Sequence, residues 1–287
     1  MDMHVRLAPE LGAWIAHNLD RGCAAPDVVQ AMLAQDFDPA LAAALVEAVV
    51  HARRDGLPPP AGEIALRIDE PPRLAPGPVI RTFDRDIVVA LRVERPALAL
   101  LANVLSPAEC REIVALGRPR LRPSTVMDPG TGRDTVAPHR SSEGMFFRPQ
   151  ETPFIAAIER RVAELMNCPL HNGEGLQLLH YHPGGASAPH FDFLSPGTPA
   201  NDDSLARSGQ RVSTLVMYLN DVERGGETVF PEIGLAVTPR QGHAVHFEYV
   251  DGRGDLDLQS VHAAAAVEAG EKWVLTKWMR ERPFVSA

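Results

Sequence analysis

Leu176-Gln177-Leu178-Leu179-His180-Tyr181-His182-Pro183-Gly184-Gly185-Ala186-Ser187-Ala188-Pro189-His190-Phe191-Asp192-Phe193 decides the fold of this 287-residue chain. It reads as two short extended segments around a Pro-Gly-Gly turn. Side chains alternate across a strand, so Gln177, Leu179 and Tyr181 share one face and His180 and His182 the other. In the second segment His190 and Asp192 point one way and Phe191 and Phe193 the other. From Leu176 onward the same rhythm continues, with about eight short strands separated by Gly, Pro, Asn and Asp turns. They fall near Leu176–His182, Ala188–Phe193, Arg211–Leu219, Glu227–Phe230, Leu235–Thr238, Ala244–Tyr249, Ser260–Ala263 and Lys272–Arg280. Eight such strands behind a helical segment suit a mainly β, α+β domain with a double-stranded β-helix core of the jelly-roll or cupin type. The polar run Asn201 to Gln210 reads as a loop over the mouth of that core.

The same stretch holds the chemistry. One His-x-Asp is weak on its own, and the His180/His182 pair invites a competing zinc assignment. Order adds weight: His190 and Asp192 come first, His262 follows near the end, and Lys272 lies ten residues later on a strand rich in tryptophan. Two imidazoles and a carboxylate on one face of an octahedron leave three positions open, the arrangement suited to non-haem Fe(II) working with O2. Two positions can take the 2-oxo acid end of 2-oxoglutarate, and its far carboxylate needs a cation, for which Lys272 is placed. Lys272, Val274, Thr276, Trp278 and Arg280 share a face of their strand.

Ahead of the β region, residues 1–56 read as three short helices, 57–78 as a Pro-rich linker, and 79–287 as the main domain with its β core at about 176–282. Leu11, Trp14, Ile15 and Leu19 follow helical spacing, as do Leu41, Leu45 and Val49. The helical segment is too short for a large core and reads as a packing appendage or dimerisation element, which leaves a homodimer open. Ser106-Pro107-Ala108-Glu109 is a capping box opening a helix. A second helix runs from Thr152 to Met166, with Phe154, Ile155, Ile158, Val162 and Leu165 on its buried stripe.

A hydrophobic content of 45% with 23% charged residues is that of an ordinary globular protein. The formal net charge of −9 argues against general nucleic-acid or anionic-membrane partners, which require clustered Lys and Arg. Cys23, Cys110 and Cys168 read as separate free thiols, no apolar run is long enough to span a bilayer, and the expected location is the cytoplasm.

Several blocks together resemble the prolyl 4-hydroxylase branch of the 2-oxoglutarate- and Fe(II)-dependent dioxygenases, over roughly Ala99 to Arg282. They are Tyr181-His182-Pro183-Gly184-Gly185 leading into Pro189-His190-Phe191-Asp192, Arg211 with Thr214 and Met217-Tyr218-Leu219-Asn220, Gly225-Gly226-Glu227-Thr228-Val229-Phe230-Pro231, and His262 through Lys272-Trp273 to Lys277-Trp278. The resemblance implies that His190, Asp192 and His262 bind iron and serve catalysis. It implies that Lys272 and Tyr181 contact the distal carboxylate of 2-oxoglutarate with help from Thr214, and that O2 is the co-reactant with ascorbate as an accessory. It also turns the Tyr181 face toward the barrel interior. A carboxylate at Asp192 favours hydroxylation, because related halogenases have a small residue there.

The departures lie on the substrate side. Ser187 stands where the family's peptidyl-proline enzymes carry Tyr, and Arg280 where they often carry His, while Arg211 and Trp278 of the peptide site are retained. Three expectations follow. A peptidyl or protein hydroxylase is favoured by Arg211 and Trp278. A hydroxylase of a free amino acid or other small carboxylate is favoured by Ser187 and Arg280. A non-catalytic binding protein that keeps the fold is the third.

Overall fold

The structure is a computed structural model and describes residues 2–67, 72–123, 125–127, 134–136, 142–250 and 256–286. Those residues form two compact units, one ending at residue 67 and the other beginning at residue 72.

The first unit holds helices α1 (Pro9–Asp20), α2 (Ala25–Leu33) and α3 (Pro39–Arg54). Proline stands in the first turn of each, where its missing N–H costs nothing. Ile15, Leu19, Val28, Met32, Leu45 and Val49 form its core. Part of the stretch read as linker has its own structure: Gly62–Arg67 pairs antiparallel with Asp2–Leu7. Ile64 packs against the helical core, the apolar anchor that a Pro count conceals.

The second unit is built on two main antiparallel sheets, with helices behind one of them and two further two-stranded pairings. The large sheet has nine strands in the order Val79–Arg81, Asp86–Val93, Leu98–Ala102, Ala244–Glu248, Arg211–Tyr218, Lys272–Arg280, Gln177–Tyr181, Glu143–Phe146 and Arg122–Pro123. The small sheet has four, ordered Ser187–His190, His262–Ala264, Thr228–Phe230 and Leu235–Val237. Residues of both sheets share one apolar cluster, with Phe230 and Val237 from the small sheet meeting Tyr218, Phe247 and Val274 from the large one. This is the double-stranded β-helix that the strand rhythm implies. Five strands of the large sheet, at 79–102, 122–123 and 143–146, lie in segments where no strand is read from the sequence.

Both faces of the large sheet are covered along its central strand Lys272–Arg280, where alternation sorts the side chains between them. On Lys272–Arg280, Trp273, Leu275 and Met279 pack toward helices α4 (Pro107–Gly117) and α5 (Pro153–Leu165) with Ile113, Ile158, Val162 and Leu178. Val274 and Trp278 pack toward the small sheet with Leu179 and Tyr181. The capping box that opens α4 is formed, with Ser106 N donating to Glu109 Oε2 at 2.6 Å and Glu109 N to Ser106 Oγ at 3.2 Å. Beneath α5, Lys277 is buried as an ion pair, its Nζ donating to Glu159 Oε1 at 2.8 Å and to the Glu174 carbonyl.

The stretch read as a mouth loop is largely helical. Helix α6 (Pro199–Ser208) opens with Thr198 Oγ1 accepting from Asn201 N at 3.3 Å and with Pro199 at its first position. Its polar composition hides the helical period, and its end is held by Arg280 and Arg282, which donate to carbonyls of residues 204–209.

Candidate active site

A cavity of about 450 Å³ lies inside the second unit, lined by His190, Asp192 and His262 and by Tyr181, Lys272 and Trp278 among others. His190 ends the first strand of the small sheet, directly paired with His262. Asp192 follows just beyond the strand and points with them. Its Oδ1 lies 3.7 Å from His190 Nε2 and its Oδ2 3.6 Å from His262 Nε2. The nearest donor atoms of the three side chains fall within 4.8 Å of one another.

The surroundings prepare these groups as ligands. His190 Nδ1 donates to the Ala188 carbonyl at 2.8 Å and His262 Nδ1 to the Ser260 carbonyl at 3.1 Å, leaving each Nε2 lone pair aimed at the common centre. Thr214 Oγ1 donates to Asp192 Oδ2 at 2.7 Å and also contacts the Tyr249 hydroxyl. Burial pushes the Asp192 carboxyl upward, but His262, His190, Arg211 and the Thr214 hydrogen bond outweigh it and hold the group at about 2. Two imidazoles and a carboxylate on one side of an open cavity fit a divalent iron ion with positions to spare.

Lys272 fits the anchor role. It pairs in register with Tyr181, is 2% exposed, and its Nζ lies 5.5 Å and 5.9 Å from the ring centroids of Tyr181 and Tyr218. Among the described residues no carboxylate reaches ion-pair distance of it. Burial lowers its ammonium to about 8 against the opposing pull of Glu227. A buried cation facing a cavity without a protein counter-ion suits a ligand carboxylate. Gly225 and Gly226, with φ of +76° and +73°, turn the chain tightly before Thr228, and a Cβ at Gly225 would run into the Ala266 carbonyl.

On the substrate side, Ser187 lines the cavity beside Trp278 and Arg211. The Arg211 guanidinium lies 4.4 Å from the Trp278 ring centroid. Its Nε and Nη2 donate to Glu174 at 2.7 and 2.9 Å, and its Nη1 to the Asp192 carbonyl at 3.1 Å.

Two of the expected site residues lie away from the cavity lining. Thr214 is fully buried, its hydroxyl donating to Asp192, and is not among the residues that line the cavity. Arg280 lies outside the wall as well. The register shifts between Arg211 and Ser213, breaking the simple alternation, and the 2%-exposed Arg280 donates to Glu174 Oε1 at 3.0 Å, to the Ser204 carbonyl at 2.9 Å and to the Gly209 carbonyl. The guanidinium is thereby tied to Glu174 and to the end of helix α6. Arg280→Met should lower stability by about 2 kcal/mol through lost charged hydrogen bonds. The KM for 2-oxoglutarate should stay within about twofold, as thermal melts and steady-state kinetics would read.

Glu174, which holds Arg211 and Arg280 together, is a residue that sequence reasoning missed. Burial pushes its carboxyl up, but the two guanidinium groups win and keep it ionised. In Asn172-Gly173-Glu174-Gly175 it looks like any turn residue. Tyr249 was legible, since alternation along Ala244–Glu248 extends to it, placing it inward with Phe247.

A double-stranded β-helix with this donor set and a buried lysine defines a 2-oxoglutarate-dependent non-haem iron oxygenase. Residues 176–280 match the 2OG-Fe(II) oxygenase superfamily. Prolyl 4-hydroxylase 1 of Arabidopsis thaliana is 40% identical over 202 residues, covering 65% of this chain and 70% of the relative. Rat prolyl 4-hydroxylase subunit alpha-1 is 36% identical over 189 residues, and there the match spans 35% of the subunit. Among solved structures, the viral collagen prolyl hydroxylase of Paramecium bursaria Chlorella virus 1 in complex with 2-oxoglutarate is similar, with a TM-score of 0.50 and 27% identity. That match covers 64% of this chain and 95% of the viral one. The chain belongs to the prolyl 4-hydroxylase family of 2-oxoglutarate/Fe(II)-dependent dioxygenases, whose cofactors are Fe(II), 2-oxoglutarate and O2.

Proposed function

We propose that the protein hydroxylates a prolyl residue within a peptide or protein. The observation that carries this reading is the wall built from Trp278 stacked on Arg211, together with buried polar atoms that lack partners among the described residues. Trp278 Nε1 and Gln177 Oε1 are such atoms, a donor and an acceptor that a peptide backbone can satisfy. Phe146, 52% exposed, continues the aromatic wall, its ring centroid 6.4 Å from that of Trp278.

Free carboxylate substrates are disfavoured on the same ground. Histidines aside, the described cations of the cavity wall are Arg211 and Lys272. Every nitrogen of Arg211 already donates to Glu174 or Asp192, and Lys272 suits the cosubstrate. The intact donor set likewise disfavours a non-catalytic binder.

When bound, Fe(II) supplies the oxidising chemistry that couples 2-oxoglutarate decarboxylation to insertion of one oxygen atom into a C–H bond, with succinate and CO2 as co-products. His190, Asp192 and His262 would hold the ion, and Lys272 and Tyr181 the far carboxylate. Glu174 keeps Arg211 in place as a platform for Trp278. The apolar shell of Leu179, Val216 and Val274 limits water in the cavity.

Mass spectrometry of proline-containing peptides beside free proline and other free amino acids, with Fe(II), 2-oxoglutarate and ascorbate, tests this. The expected result is a gain of about 16 Da, one oxygen atom, on peptide prolines only. A product confined to free amino acids would overturn the peptide assignment while leaving the reaction class intact.

A further inference from the structure

The back of the cosubstrate strand carries a second group of potential metal ligands. Tyr181 faces the cavity, and its neighbours His180 and His182 face the other way from the same strand. Glu143 is the direct cross-strand partner of His180. Their nearest donor atoms lie within 4.8 Å of one another. Glu143 Oε2 is 3.7 Å from His180 Nδ1 and 3.3 Å from His182 Nε2. Donors about 2.1 Å from a tetrahedral zinc ion sit about 3.4 Å apart, so the group needs little movement to close on one ion.

His180 is held as a ligand would be. It is 3% exposed, and its ring stacks on Trp273 with centroids 3.9 Å apart and planes 12° from parallel. Its Nε2 lies 2.8 Å from Glu271 Oε2. Hydrogen bonds from Trp273 and His180 offset the effect of burial and keep Glu271 ionised. An ionised carboxylate only accepts, so the ring proton sits on Nε2 and the Nδ1 lone pair is turned toward Glu143. The 3.7 Å to Glu143 is too long for a hydrogen bond. Carboxylate, imidazole and an open lone pair in line form the arrangement in which an outer carboxylate orients a metal-binding histidine. His182 and Glu143 close the group from the solvent side, their side chains 61% and 40% exposed.

We propose that Glu143, His180 and His182 form a second metal site, separate from the His190/Asp192/His262 centre, which takes a divalent ion of the zinc type. Two nitrogen donors and one carboxylate oxygen suit zinc, with a fourth position left to solvent. The site lies on the outer face of the strand that carries Tyr181, so bound metal ties the neighbouring strand Glu143–Phe146 to the wall of the cosubstrate pocket. This inference does not depend on the identity of the hydroxylated substrate.

The test is the zinc content of the full-length chain after equilibrium dialysis against Zn(II), read by atomic emission. Wild type should hold two zinc ions, one of them in the iron centre. His190→Ala and His182→Ala should each hold one, and the double variant none. Glu143→Gln, a change at a half-buried position, should also hold one. Glu271→Gln should weaken the second site by about 10- to 100-fold while keeping the same stoichiometry at saturation. Circular dichroism would confirm that each variant is folded. If His182→Ala and Glu143→Gln bind as much zinc as wild type, or wild type binds one ion and His190→Ala none, the second site does not exist.

Discussion

Asp192→Ala is expected to lower 2-oxoglutarate turnover by at least about 10³-fold, equivalent to about 4 kcal/mol of transition-state stabilisation. Asp192 is the anionic donor of the group, and the structure surrounds it with help that only a carboxylate can use. Thr214 donates to it and Arg211 donates to its backbone carbonyl, and both favour the ionised carboxyl against the effect of burial. Without the carboxylate, His190 and His262 form an incomplete donor set and the buried Thr214 hydroxyl loses its acceptor. Succinate release with excess Fe(II) measures the effect, and a melt of the metal-free protein separates it from unfolding. Loss of turnover with a near-normal melt is expected. Turnover within tenfold of wild type would mean that iron is held elsewhere.

Lys272→Ala is expected to weaken 2-oxoglutarate binding by about 30-fold or more, because removing one partner of a buried charge pair costs about 2–5 kcal/mol. The ammonium is 2% exposed and lies near two tyrosine rings, so a solvent cation cannot readily replace it. Binding should also depend on pH in a defined direction. Burial lowers the free ammonium to about 8. Below that pH the charged form dominates and affinity is flat. Above it a proton must be taken up on binding, so affinity falls by about tenfold per pH unit. Isothermal titration between pH 6.5 and 9.5 reads both effects, and a Lys272→Ala profile that kept the slope would assign it to another group.

The sequence exposes those parts of the site that depend on strand alternation. Tyr181, Lys272 and Trp278 lie on regular strands, so parity alone assigns their face, and the structure places all three on the cavity wall, with His190 beside them although its own ladder slips between Ser187 and His190. Parity fails where the ladder slips. The shift between Arg211 and Ser213 carries Arg280 out of the wall and into contact with Glu174, and no local pattern announces such a slip. Thr214 shows a different limit, since the interior of a closed sheet includes both cavity wall and packed core, and alternation does not separate them. Helix α6 escaped notice because too few apolar residues mark its period. The nine-stranded sheet was underestimated because the strands at 79–102 precede the region of regular rhythm and pair with it only across long sequence separations.

The most direct test of the account is the ratio of succinate formed to hydroxyl groups inserted in a proline-containing peptide, under Fe(II), 2-oxoglutarate and O2. The account predicts one succinate per hydroxylated residue in wild type and neither product in His190→Ala. Equal succinate from wild type and His190→Ala, or no peptide hydroxylation by an iron-loaded wild type across a broad panel of proline-containing peptides, would contradict it.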